Sequence, residues 1–142
     1  MSKQGYGTDI TLVAAADLST KQFFAVKVDS AGKAALAAAG EFAIGILQNN
    51  PTSGVAATVR VSGKSKGIAG AAITAGAPIT CDANGKIVTA TLARTKTDDA
   101  GVAADALIGS NVLGIALSDA GAANDVIEIL VLHAGASPTS LL

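Results

Sequence analysis

The chain has 142 residues, half of them apolar, and its ten basic and eleven acidic residues leave a net charge of −1. That balance excludes a disordered chain. It also argues against a nucleic-acid partner, because no basic surplus exists to meet phosphates and few aromatic rings exist on which bases could stack. Alanine fills 31 positions and glycine 16, while charged residues are only 15% of the chain, below the usual quarter. Small side chains inside and few charges outside point to burial against other subunits.

A membrane partner is not expected. Residues 67–81 are uncharged, but Gly70, Gly76 and Pro78 interrupt them, and a span needs about 20 apolar residues. Lys3 and Asp9 leave no room for an apolar signal core, so we expect a soluble protein made in a cytoplasm. The single cysteine, Cys81, rules out a disulfide scaffold.

Taken in chain order, short alternating runs dominate. Residues 8–13 predict a first strand. Residues 22–28 predict a second, with Phe24, Val26 and Val28 on one face and Phe23, Ala25 and Lys27 on the other. Strands are predicted over residues 42–47, 55–61, 64–69, 78–81 and 86–91, then over 111–117 and 125–133. In the last, Ile127, Ile129 and Val131 share a face and Glu128 points the other way. Turn residues separate these runs at short intervals, as in a sandwich or barrel. Helix has less support. Residues 34–39 have helical propensity but stop at Gly40, and Asp98-Asp99 could cap one short helix over residues 100–107.

An internal repeat is visible. Residues 24–33 (FAVKVDSAGK) parallel residues 77–86 (APITCDANGK), each reading strand, Asp-x-x-Gly-Lys, strand. Asp29 and Gly32 in the first copy, and Asp82, Asn84 and Gly85 in the second, are the turn-making residues. Asp and Asn fold back on their own backbone and Gly accepts a positive φ. Residues 43–47 (AIGIL) parallel residues 112–116 (VLGIA), and an apolar strand follows each. The second copy is longer, and residues 94–105 are its natural insertion. The reading is a single β domain over residues 1–142, with an N-terminal arm (1–7), an inserted excursion (92–106) and a C-terminal tail (134–142).

No residue pattern points to catalysis. Gly63-Lys64-Ser65 resembles the end of a phosphate loop, but Thr58 stands where that loop needs its first glycine. A tight turn between two strands is the expected reading. Asp82-Ala-Asn84-Gly85 starts like a calcium loop, yet its glycine comes two positions early and Ala93 replaces the closing Glu. His133 is the only histidine, too few for a typical metal cluster, and Cys81 reads as a small buried hydrophobe. Nine of the eleven carboxylates are aspartates, mostly in turns. The expectation is a non-enzyme without metal or cofactor.

Residues 73–88, 112–121 and 42–47 together make the chain resemble the small capsid decoration (cement) proteins of tailed bacteriophages. That resemblance implies an all-β barrel or β-tulip domain, often trimeric, on the outer face of the head. Its partner would be the major capsid protein, and it would stabilise the expanded shell by bridging capsid subunits. Ser2, Lys3, Gln4 and Tyr6 are the expected capsid or neighbour contacts. The alternatives are a tail-fibre, spike or surface-layer module, or a small ligand-binding β module.

Overall fold

The computed structural model describes residues 7–90, 94–95, 106–107 and 111–136. The described chain is all β: β1 (Gly7–Val13), β2 (Ala25–Val28), β3 (Ala34–Leu36), β4 (Gly45–Leu47), β5 (Ala56–Ile68), β6 (Pro78–Cys81), β7 (Ile87–Thr89), β8 (Arg94–Thr95), β9 (Ala106–Leu107), β10 (Asn111–Ala116) and β11 (Val126–Ala136). Nine strands form one curled antiparallel sheet in the order β3-β2-β4-β5-β11-β10-β6-β7, with β1 added beside β5. β8 and β9 pair separately, Arg94 with Leu107 and Thr95 with Ala106.

The strand order is a palindrome about the β5–β11 contact. In the first half β2 pairs with β3 and β4, and β4 with β5. In the second half β6 pairs with β7 and β10, and β10 with β11. Registers agree as well: Val26 faces Gly45 and Leu36, while Ile79 faces Gly114 and Thr89. β1 against the start of β5 corresponds to the end of β5 against β11. Leu12 faces Ala57 in one, and Gly67 faces Ile127 in the other. β5 is thus the last strand of one unit and the first of the next.

The match extends to single hydrogen bonds. Leu47 N–H donates to Phe24 O and Ala116 N–H to Ala77 O. Phe23 N–H donates to Leu47 O and Gly76 N–H to Ala116 O. Leu18 N–H donates to Pro51 O and Ile73 N–H to Ala120 O. Gly54 N–H donates to Ala14 O and Asn124 N–H to Ala69 O. Side chains follow suit: Asn50 Oδ1 accepts from Gln22 N–H at 3.2 Å, and Asp119 Oδ1 accepts from Ala75 N–H at 2.7 Å. Gly45 and Gly114 sit at matching places for the same reason. A Cβ there would strike the carbonyl oxygen of Arg60 or of Leu130. Isolated parallel bridges, Ala14 to Ala34 and Ala69 to Ile87, draw each end of the curled sheet inward.

Two cores result. One gathers Leu18, Val26, Ala34, Leu47, Ala57 and Val59 inside the first half. The other gathers Ile73, Ile79, Cys81, Ile87, Leu113, Ile127, Ile129 and Val131 of the second half, and Ala25, Ala43 and Ile46 of the first pack into it. β2 and β4 therefore send alternate residues into different cores, and all three residues of β4 are buried. Each fully buried Ile or Leu here contributes roughly 1.5–3 kcal/mol.

Several sequence expectations change. The strand expected over residues 22–28 begins only at Ala25, because Phe23 has φ 70 and turns the chain. Ala25 and Val26, on its two faces, are both buried, whereas Lys27 and Val28 are not. The strands expected over 55–61 and 64–69 are one 13-residue strand. Gly63, at φ 93, kinks it beside an irregular step in the β1 pairing but does not reverse it. Residues 34–36, for all their helical propensity, are extended as β3, the return strand expected after the first Asp-x-x-Gly-Lys turn. Within the segment expected to be helical, Ala106–Leu107 is a strand. The rest of it, residues 98–105, lies outside the described residues, as do the N-terminal arm through Tyr6 and the tail beyond Ala136.

Candidate interaction surfaces

Ser2, Lys3, Gln4 and Tyr6 fall outside the described residues, so no contact is assigned to them. The strand that follows them is described. β1 is exposed along nearly its whole length although every residue of it pairs with β5. An ion pair fastens it. Asp9 Oδ1 accepts from Arg60 Nε at 2.6 Å and Oδ2 from Nη2 at 3.1 Å, while Arg60 Nη1 donates to Lys64 O at 2.7 Å. The Arg60 side chain is only 9% exposed. The bond to Asp9 raises its already high pKa against the opposing effect of burial. A two-pronged guanidinium–carboxylate contact fixes geometry as well as charge, and the bond from Arg60 Nη1 to Lys64 O spans the kink at Gly63.

The two Asp-x-x-Gly-Lys turns are built alike. Asp29 Oδ1 accepts from the N–H groups of Ala31 and Lys33, both at 2.9 Å, and Asp29 O accepts from Gly32 N–H at 3.0 Å. Asp82 Oδ1 accepts from Asn84 at 2.8 Å and Lys86 at 3.0 Å, and Asp82 O accepts from Gly85 N–H at 3.1 Å. Gly32 has φ 75 and Gly85 φ 78. Their surroundings differ. A Cβ on Gly32 would meet open space, whereas one on Gly85 would lie 3.1 Å from Ala25 O and from Leu36 Cδ2. The second turn is docked on β2, where Gly85 O accepts from Ala25 N–H at 2.8 Å. Pro78 holds the place of Ala25 in the second half and has no N–H to offer a further turn.

An exposed apolar surface lies on the outer face of the second half. Val126 (58% exposed), Leu132 (51%) and Leu117 (44%) share it with Leu130, Ile115 and Ile68, around a Lys64–Glu128 ion pair of 3.1 Å. Isolated exposed hydrophobics are ordinary, but a contiguous group on one sheet face marks a contact surface. Sequence reading missed this face, although the alternation in residues 126–132 was its signal. It also missed Asp9–Arg60, whose partners lie 51 residues apart.

His133 stands exposed at the end of β11. Its ring stacks on exposed Phe42 at 5.7 Å, and its Nε2 donates to Ile44 O at 2.9 Å. A carbonyl can only accept, so Nε2 carries the proton. Cys81 is buried, and its thiol donates to Ala38 O at 3.1 Å. Burial, then the charges of Asp82 and Glu41, push its pKa up to about 11, so the thiol is protonated and unreactive at neutral pH. Asp17, Asp119 and Asp125 each accept from backbone N–H groups in turns. Among the described residues no group of three His, Cys, Asp or Glu could hold a metal ion, and no helix is long and apolar enough to cross a membrane.

No family model and no curated protein matches the chain. Among solved structures the fold is similar to the head fiber gp8.5 N base of bacteriophage phi29. The TM-score is 0.58, with 17% identity over 89% of this chain and 95% of that one. At that identity the likeness establishes the fold.

Proposed function

We propose that the chain is a non-enzymatic structural protein of a phage virion, bound to the outside of the head and bridging neighbouring shell subunits. The observation that carries this reading is the fold shared with a phage head-fibre base over nearly the whole chain. Low charge, small residues and the apolar outer face of the second half support it. The arrangement suits a bridge physically. A protein that binds only the expanded shell lowers that state's free energy by mass action. Contacts to two or three subunits at once turn modest single affinities into tight attachment. The N-terminal arm, with Ser2, Lys3, Gln4 and Tyr6, is the proposed capsid contact, and a homotrimer is the proposed oligomer.

Copy number tests the reading. The polypeptide is quantified in purified particles against the major shell protein. A ratio near one, or a simple fraction of it, supports a lattice component. Absence from particles refutes the virion role. The fibre base named above favours a second reading, in which this domain roots a fibre or spike; a few copies per particle would support it. Deleting residues 1–7 should weaken particle binding while leaving the β-type circular dichroism intact. Unchanged binding would remove the arm from the contact, and equal affinity for immature and expanded shells would remove selective stabilisation.

A further inference from the structure

We propose that Asn84 is a site of spontaneous deamidation, and that docking of the second half on the first holds the reaction in check. Asn84-Gly85 is the chain's one Asn-Gly step. In this reaction the Gly85 nitrogen, having lost its proton, attacks the side-chain carbonyl carbon of Asn84. A new C–N bond closes a five-membered succinimide, and the side-chain nitrogen leaves as ammonia. Water then opens the ring at either carbonyl, giving aspartate or isoaspartate. No oxidant or other partner is required. A following glycine favours ring closure because it has no Cβ to obstruct the approach.

Asn84 stands exposed at the tip of the β6–β7 hairpin, open to water. Its backbone is restrained from every side. The Gly85 N–H that must be lost is donated to Asp82 O at 3.1 Å. Asp82 Oδ1 holds the N–H groups on either side of that bond, those of Asn84 and Lys86. Gly85 itself is buried against Ala25 and Leu36, and its carbonyl is taken by Ala25 N–H. Swinging the Gly85 nitrogen over the Asn84 side chain therefore requires the turn to open, and opening requires the hairpin to lift off β2. The matching turn of the first half, undocked, carries Ala31-Gly32 and cannot react.

The product acts on the same contact. Isoaspartate adds a methylene to the main chain inside the turn and a carboxylate beside Asp82. The tip then no longer matches its seat on β2, so each conversion favours further opening.

The test incubates the full chain at mildly alkaline pH in native buffer and in urea, following Asn84 by peptide mass mapping and isoaspartate-specific methylation. Conversion at Asn84 is expected in urea and at least about tenfold slower in native buffer, since only the open fraction reacts. Leu36→Ala loosens the seat without touching the turn and should raise the native rate, with circular dichroism confirming that the chain remains folded. If that variant does not fold, Gly85→Ala in urea replaces it and should suppress the reaction. Equal rates in native buffer and urea would overturn the protective role of docking, as would a folded Leu36→Ala chain with an unchanged rate. No conversion in urea would overturn the site itself.

Discussion

In the first half, Ala25 and Ile46 share a sheet face and are fully buried in the core of the second half, while Lys27 and Ala56 at the margins of that face are not buried. The matching face of the second half, with Leu117, Val126 and Leu132, stands in solvent. The two halves share register and hydrogen bonds, yet one is an inner layer and the other an outer one. A repeated unit that could always accept another would build an open stack, so terminal units of such arrays differ from internal ones. Pro78 is that difference here, because it removes the N–H with which Ala25 holds the docked turn. The apolar face of the second half is therefore left exposed.

The sharpest way to break the correspondence is at its glycines. Gly45→Ala and Gly114→Ala each drive a Cβ into a neighbouring strand's carbonyl, which cannot yield as a flexible side chain can. Each should cost about 3–5 kcal/mol in denaturant unfolding. Similar losses would mean that the halves unfold together. A loss confined to one half, seen by hydrogen exchange, would mean that they are separate units. Next comes Asp9→Asn, which removes the carboxylate that both Nε and Nη2 of the nearly buried Arg60 contact and should cost about 2–3 kcal/mol by the same measurement. A value near zero would mean that β1 is held by backbone pairing alone.

The alkaline limb of stability reports on the second core. Burial raises the Cys81 pKa from the ordinary thiol value of 9.0 to about 11, so the folded chain favours the neutral thiol. That contribution is complete below the unfolded value and disappears as pH rises through the folded one. Stability should therefore fall by on the order of 2 kcal/mol between pH 9 and about 11, and Cys81→Ala should remove that fall. On the acid side, hydrogen bonds from Lys27 and from Ala38 N–H lower the Glu41 pKa. What Glu41 contributes is present above the ordinary carboxylate range and lost as pH drops through the lowered value.

Smaller effects compare the two turns. Gly32→Ala and Gly85→Ala both force alanine to a positive φ, about 1–2 kcal/mol. Only Gly85 is also crowded by Ala25 and Leu36, so its variant should be the less stable. Equal losses would mean that docking adds nothing. The smallest effect should be Gly54→Asn, within about 0.5 kcal/mol. The second half already places Asn124 at φ 72 where the first has Gly54 at φ 80.

Much of the fold was legible because its signals are local. An Asp-x-x-Gly-Lys turn needs only its own side chain and a positive φ, so both hairpins could be read without knowing what they touch. The paired segments around Gly45 and Gly114 carried the duplication. Phe23 was not legible. In an alternating run it reads as a strand residue, and its left-handed backbone is held by bonds from its neighbourhood, including its own N–H to Leu47 O. Gly63 misled in the opposite direction, since a glycine between two apolar runs looks like a turn. Only pairing with β1 on one stretch and β11 on the next keeps β5 continuous.

The sequence by itself determined most of the strands, the two turns and the repeated plan, because alternation and turn chemistry act over a few neighbouring residues. Tertiary structure decided which half is covered and which exposed, and what Arg60 and Gly85 touch. Those outcomes depend on backbone and side-chain groups far apart in the chain meeting at hydrogen-bond distance, and no short stretch of residues encodes such a meeting.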